Sequence, residues 1–394
     1  MTDAFAMDIE KLAEASRSLA RERLKDFLPE GCFWEPREDS TRYRMNEAAA
    51  LVGRTPESIR DAEKRKLVNA PDINPRTGRR IGYTLKQINH LRRHFHTRPY
   101  RDAADPPMVL NIWSFVAGVG KSCICAHLAH GLAIRGYRVL VVDTDPNATV
   151  TSLLGLIPDL GFDYTNTFAP LFRGESDGFL SSVRRTCVDQ LDLIPASLCV
   201  SDLGAGIASS TPMDRAALER IRLAVQKAAE PYDIVLIDSA SVQTAMTLPM
   251  LYAANALLVP QSPPEFEHGS RYESLCMLWG RYESMVDMGG DISIDWIRGV
   301  INEHSEEHSN VAVHQRPERD EAMRMLQSTL RFNSEITKAL EEQSTVFAHV
   351  PTRRSKQNWR GALNNLNAFI AEMEMLIQST WPKRFAELRH KGYC

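Results

Sequence analysis

Residues 109–122 read VLNIWSFVAGVGKS. A short apolar run of this kind is a buried parallel strand, and it feeds a loop, Gly118-Val119-Gly120-Lys121-Ser122, that opens a helical pattern. Glycines let consecutive backbone N–H groups turn inward on an anion, and the helix that follows presents its positive N-terminal end to the same place. The loop is therefore a candidate phosphate cradle built from Gly118, Val119, Gly120, Lys121, Ser122 and Cys123, with Lys121 reaching the β/γ-phosphates and the Ser122 hydroxyl available to Mg²⁺. The general pattern wants glycine six residues before the lysine, where this chain has Phe115, so the plain phosphate-loop form is not met.

Outward from the loop, strands alternate with helices. Strands are expected at 109–113, 139–142, 191–194, 234–237, 256–259 and 297–301, and helices at 121–135 (closed by Gly136), 213–229 and 268–286. This alternation predicts an α/β fold of the P-loop NTPase type: a mostly parallel sheet with helices on both faces and ligands at the carboxyl ends of the strands. The second strand runs into Asp143-Thr144-Asp145-Pro146-Asn147, and the strand at 234–237 ends in Asp238. A carboxylate so placed holds Mg²⁺ beside a phosphate loop. Beyond 302 the pattern weakens; helices are expected at 318–330 and 359–379. His304, His308 and His314 near several glutamates read as a polar surface loop rather than a metal site.

Charge divides the chain. Residues 41–101 hold 15 Lys/Arg against 5 Asp/Glu, within a protein whose net formal charge is −3. A basic module on an acidic body suits a polyanion partner. The module carries helix signals at 45–52, at 55–66 (Thr55 cap, Pro56 at the first position) and at 84–94, where Thr84 and Gln87 form a capping box. Between the last two lies NAPDINPRTGRRIG, a basic, turn-rich segment. Two short helices at a tight turn followed by a basic loop predict a winged helix-turn-helix domain over 41–101. Ser58, Arg60 and Lys64, with Glu57 and Asp61 at the margins, would face the major groove; Arg76, Arg79 and Arg80 would sit on the wing. Arg54, Lys86, Arg92 and Arg93 read as phosphate contacts or surface. Residues 1–40 are expected as an amphipathic helix and linker, the helix packing on its own domain or pairing with a second copy; 107–394 form the third unit, after Asp105-Pro106-Pro107. Seven cysteines without paired spacing suit a reducing compartment, Cys123 and Cys125 being packing residues. No run of about 18 apolar residues occurs, so a cytoplasmic protein without a membrane partner is expected.

The order of these motifs resembles the ParA/MinD group of deviant-Walker ATPases, and within it RepA-type plasmid partition proteins. The resemblance is carried by FVAGVGKSCICAHLAHGLAIRGYRVLVVDTDPNATVTSLLGL (115–156), LDLIPAS (191–197), YDIVLIDSASVQTAMTLPMLYAANALLVPQSP (232–263) and IDWIRGVINEHSEE (294–307). It implies ATP and Mg²⁺ as cofactors, a homodimer that sandwiches ATP, binding to operator and non-specific DNA, autorepression, and a ParB-type centromere-binding partner. Carried over by position, Lys121 is the phosphate lysine, Ser122 and Asp238 the metal ligands, Asp145 the residue that positions the attacking water, and Asn302 a residue near the base. The departures are specific. The family's signature lysine falls at Val116 and the next glycine at Ala117; Asn147 replaces the usual Gln, and Ala240-Ser241 the usual Pro-Pro. Loss of a cation at the γ-phosphate predicts weak hydrolysis, and the alternative is a hydrolysis-deficient DNA-binding regulator that keeps the fold as a dimerisation body or nucleotide sensor. Ala117 is expected to strain the loop if its position needs a positive φ.

Overall fold

The computed structural model describes residues 41–99, 101–158, 162, 164–197, 214–240, 247–263, 268–290, 292–303 and 323–390. The expected N-terminal helix at 1–40 and His304, His308 and His314 lie outside the described residues. Seven strands, β1 (Met108–Ile112), β2 (Val139–Asp143), β3 (Arg184–Arg185), β4 (Leu191–Ile194), β5 (Ile234–Asp238), β6 (Ala256–Gln261) and β7 (Trp296–Ile301), form one sheet in the order β3-β4-β2-β5-β1-β6-β7. All pairings are parallel except β3 with β4. β1, β2, β5 and β6 are buried at every residue, which is why they read as largely apolar runs, interrupted by Asn111 and closed by Asp143, Asp238 and Gln261.

Alternate residues feed two cores. Leu110, Val141 and Leu236 pack on one face beneath α4 (Lys121–Arg135) and α11 (Lys356–Ser379). Val109, Leu140 and Val235 pack on the other, beneath α7 (Arg215–Ala229) and α8 (Thr247–Ala253), with α9 (His268–Asp287) beside them. Register levels the strand ends that matter. Ile112 pairs with Asp238, and Asp143 pairs with Asp238. The loop after β1 and the carboxylates ending β2 and β5 therefore meet at one edge.

Residues 323–330 depart from the expected helix. They lie alongside β7 through parallel bridges, Gly299 with Met325 and Asn302 with Leu330, and Gly299 N donates to Arg324 O at 3.0 Å. The physical reason is β7's outer edge: an unpaired row of N–H and C=O groups next to a core is satisfied by an extended segment, and Met323, Leu326 and Leu330 become buried in doing so.

The N-terminal unit comprises α1 (Met45–Val52), α2 (Pro56–Lys64) and α3 (Leu85–Phe95) around a small core of Ala48, Val52, Ile59, Ile88 and Leu91. Gly53, in the left-handed region at φ 68, ends α1; Thr55 caps α2 from Ser58 N; Thr84 and Gln87 complete the expected box on α3. The Asn74 carboxamide oxygen accepts from Arg76 N and Thr77 N, shaping a turn whose arms bridge at Ile73 and Arg80. Among the described residues the remaining α-helices are α5 (Thr149–Leu153), α6 (Ser176–Ser181), α10 (Ser334–Glu341) and α12 (Pro382–His390).

Candidate functional site

The loop between β1 and α4 is shaped by its glycines. Gly118 (φ 77) and Gly120 (φ 82) are left-handed, a conformation that costs other residues about 1–2 kcal/mol. Ala117 is not among the residues with positive φ, so the expected strain at this position is absent. Val116 N donates to Ser114 Oγ at 3.2 Å, and the Val116 side chain offers no charge where the resemblance places a lysine. Val119 is fully buried and anchors the loop. Asn302, one residue past the end of β7, donates from Nδ2 to Val119 O at 2.9 Å and crowds Gly120, where an added Cβ would collide with that nitrogen. The structure thus sets Asn302 against the phosphate loop itself.

Lys121 begins α4 and is 5% exposed. Burial draws its pKa down, while Asp238 and Asp145 act in the opposite direction. The three carboxylates play different parts. Asp143 is fully buried; Oδ2 accepts from Thr151 N (3.0 Å) and Thr151 Oγ1 (2.7 Å), and Oδ1 from Asp145 N, so it braces the segment after β2. Asp145 is partly exposed and accepts from Asn147 N and Nδ2, each at 2.9 Å. Asp238 is fully buried, and neither carboxylate oxygen has a well-formed hydrogen bond among the described residues. Desolvation pushes its pKa well up, the Asp143 charge adds to this, and the Ser122 hydroxyl opposes both. A carboxylate at zero exposure costs several kcal/mol unless polar and cationic groups face it, and here Ser122 and Lys121 both act on Asp238. Together with a neighbouring hydroxyl, it is a hard-oxygen donor set that fits Mg²⁺, and the left-handed glycines fit a phosphate chain.

Cys123 and Cys125 behave as packing residues. The Cys125 side chain is wholly buried, and burial pushes the Cys123 thiol up to about 12. No group of three or more metal-ligating side chains forms among the described residues.

In the N-terminal unit the arginines differ from one another. Arg54, Arg60, Lys64, Arg76 and Arg79 are exposed, and Ser58 is half-buried. Arg54 donates to Phe95 O at 3.3 Å and lies over the Phe95 ring. Arg80 instead makes a two-pronged pair with Glu63 (3.0 and 2.8 Å), whose carboxylate is 5% exposed and also accepts from Tyr83 Oη at 2.6 Å. Arg80 therefore ties the 73–80 turn to α2. Arg92 is a plain correction: expected at the surface, it is 1% exposed. It donates to Leu51 O (3.1 Å), Asn89 Oδ1 (2.8 Å) and, across to the end of α4, Ile134 O (2.7 Å). Its place on the apolar stripe of α3 beside Leu85, Ile88 and Leu91 was the available signal, masked by its charge.

A mostly parallel sheet with a glycine loop and aspartates at adjacent strand ends defines a P-loop nucleotide-binding fold. A family model described as an AAA domain matches residues 108–270. Protein SopA of Escherichia coli (strain K12) is 32% identical over 387 residues, covering 94% of this chain and 96% of SopA. A putative replication protein A of Sinorhizobium fredii is 25% identical over 366 residues (87% and 88%), and a probable plasmid-partitioning protein ParA of Thermus thermophilus is 32% identical over 193 residues (46% and 56%). Among solved structures, one described as a partition protein superposes with TM-score 0.59 at 19% identity over 95% of this chain and 97% of its own; a variant of Cyanothece McdA in complex with ATP gives 0.52 at 18%, over 69% and 98%. The chain belongs to the ParA/RepA-type family of deviant-Walker partition proteins.

Proposed function

We propose that this chain is a partition ATPase of weak turnover, which binds Mg²⁺-ATP at the β1–α4 loop and DNA through its N-terminal unit. The carrying observation is the fully buried Asp238 carboxylate, set with Ser122 and Lys121 at the foot of a left-handed glycine loop. Mg²⁺, when bound, supplies charge neutralisation to the phosphates. Backbone N–H groups of Gly118 to Cys123 would hold the phosphate chain, the Lys121 ammonium would supply charge to its β/γ end, and Ser122 and Asp238 would hold the metal. Asp145, steadied by Asn147 and free of the bracing duty that occupies Asp143, orients the attacking water. Asn302 keeps the loop in register for the nucleotide. ATP-dependent dimerisation, operator and non-specific DNA binding, autorepression and a ParB-type partner complete this reading, in the cytoplasm and on the nucleoid. The units 1–40, 41–101 and 107–394 take the roles of dimerisation arm, winged helix-turn-helix and ATPase.

Val116 favours a second reading, a DNA-binding regulator that binds nucleotide without turning it over. One assay separates the two: ATP binding and phosphate release, with and without DNA, on wild type and Val116→Lys. The ATPase reading expects saturable ATP binding, slow DNA-stimulated release, and a rate at least about tenfold higher in Val116→Lys, a modest part of what a cation at the γ-phosphate contributes. Absence of ATP binding sinks the ATPase reading and leaves the regulator only as a dimerisation body. Saturable operator binding with no release under any condition leaves the regulator.

A further inference from the structure

Under α9, away from the nucleotide loop, lies a cavity of about 530 Å³, walled by apolar side chains that include Leu257, Leu275, Leu278, Met285 and Ile297. Two guanidiniums, Arg298 of β7 and Arg324 of the adjoining extended segment, line the same cavity. Neither forms an ion pair among the described residues: Arg298 Nη1 donates to its neighbour's carbonyl, Ile297 O, at 2.9 Å. The nearby Glu372 carboxylate is engaged by Gln327 N and Ser328 N, at 2.7 and 2.8 Å. Among the described residues the two like charges line one apolar hollow, each opposing the other, and the one carboxylate that acts on Arg298, Glu372, does so without an ion-pair contact.

The surface beside the hollow is apolar as well. Trp279, Tyr282 and Val286, at i, i+3 and i+7 on α9, are 59%, 41% and 47% exposed, and the Trp279 and Tyr282 rings stack at 5.4 Å and 26°. A small amphiphile seated in the cavity would leave this stripe in water. Exposed aromatic stripes next to a lined groove mark protein contacts, and Trp, Tyr and Arg are the residues that dominate such contacts.

We propose that α9 and the Arg298–Arg324 pair form a docking groove for an acidic amphipathic segment of a partner protein. Large apolar side chains of that segment fill the cavity and cover Trp279 and Tyr282, while at least two carboxylates pair with the guanidiniums. This surface does not rest on the nucleotide reading, since none of its residues belongs to the phosphate loop or the carboxylate cluster.

The probe is a phage-displayed dodecapeptide library panned on the full-length protein, with recovered peptides synthesised and titrated by fluorescence anisotropy. Enriched peptides are expected to combine acidic with large apolar residues. They should bind Arg298→Glu/Arg324→Glu and Trp279→Ala at least tenfold more weakly, and lysine-for-acid versions should regain affinity for the double Glu variant. Because a variant can misfold, the wild type supplies a second readout: peptide must slow amide exchange across residues 275–286. Binders indifferent to these substitutions and leaving that exchange unchanged overturn the proposal. So does micromolar saturation of the cavity by dodecanoate without any peptide enrichment, which assigns it to a small amphiphile. A wild-type dimer that Trp279→Ala converts to monomer in sedimentation also overturns it, since the occupant is then a second copy.

Discussion

Gly120 concentrates two constraints that a side chain cannot satisfy together. Its φ is left-handed, and a Cβ would collide with Asn302 Nδ2, so Gly120→Ala must displace either the loop or the asparagine that holds Val119 O. The expected outcome is loss of ATP binding by at least about 100-fold, the ~3 kcal/mol that a strained φ and a steric clash add together, read by nucleotide titration against unchanged secondary structure. The arginines of the N-terminal unit divide on the same scale. Arg79→Ala, at an exposed position, should weaken binding to all DNA sequences and lower the salt slope by about 1; Arg60→Ala should relax sequence preference instead. Arg80→Ala differs from both, because it removes the cation from a nearly buried Glu63 carboxylate and leaves it only the Tyr83 hydroxyl. Its signature is a lower melting temperature of the unit, with DNA loss following the unfolding, and a melting temperature equal to that of Arg79→Ala would refute the distinction.

The long helix α4 carries the second scale. His127 and His130 are both buried. His127 Nε2 accepts from Val346 N at 3.1 Å while Nδ1 faces Cys123 O at 2.8 Å, and His130 Nδ1 meets Thr345 Oγ1 at 2.6 Å. Burial lowers the two imidazoles to about 4 and about 3, so both are neutral in the fold. The unfolded chain takes up protons as pH falls below ~6.5, and the folded chain does so only near the lowered values. Stability is therefore present above ~6.5 and declines as pH falls from there toward about 4, by up to ~3 kcal/mol per histidine. Denaturant midpoints at pH 7, 5.5 and 4.5 check this, and His130→Gln should flatten the decline. An identical slope in that variant would refute the assignment. At this scale the sequence was most legible: α4, its closing glycine, and strands β2, β4 and β5 stand within a residue of expectation, because buried parallel strands and glycine caps leave local marks. The two-residue β3 and the extended course of 323–330 were not legible. Both are decided by a neighbouring strand's edge, and a pattern of apolar spacing read along one segment does not see that edge. The carboxylate cluster was legible as motifs, but the division of labour between Asp143 and Asp145 needed the Thr151 contact.

For the whole molecule, the N-terminal unit and the sheet body are joined through polar contacts around a buried arginine. Arg92 reaches Ile134 O, Asn89 Nδ2 donates to Asp189 Oδ2 at 2.8 Å, and Arg98 Nη2 donates to Gln190 Oε1 at 2.9 Å. Arg92→Ala leaves the carbonyls of Leu51 and Ile134 without that donor and opens a void at the junction. It should cost about 2–4 kcal/mol of docking, as lost bonds to a charged group do, and expose residues 97–107 to limited proteolysis while each unit keeps its own core. Unchanged cleavage at the junction would show that the contact is dispensable.

The way Arg92 takes hold has a consequence for how such molecules can be assembled. Its grip on the body is a main-chain carbonyl at the end of α4, and its neighbours Asn89 and Arg98 reach Asp189 and Gln190, consecutive residues of one turn. The body therefore presents a socket made of that carbonyl, one turn, and the core face on which Leu85 packs. A foreign N-terminal unit with an arginine and a leucine at the matching places on its third helix could be grafted onto it, so that the body accepts a different N-terminal unit while the phosphate loop stays untouched.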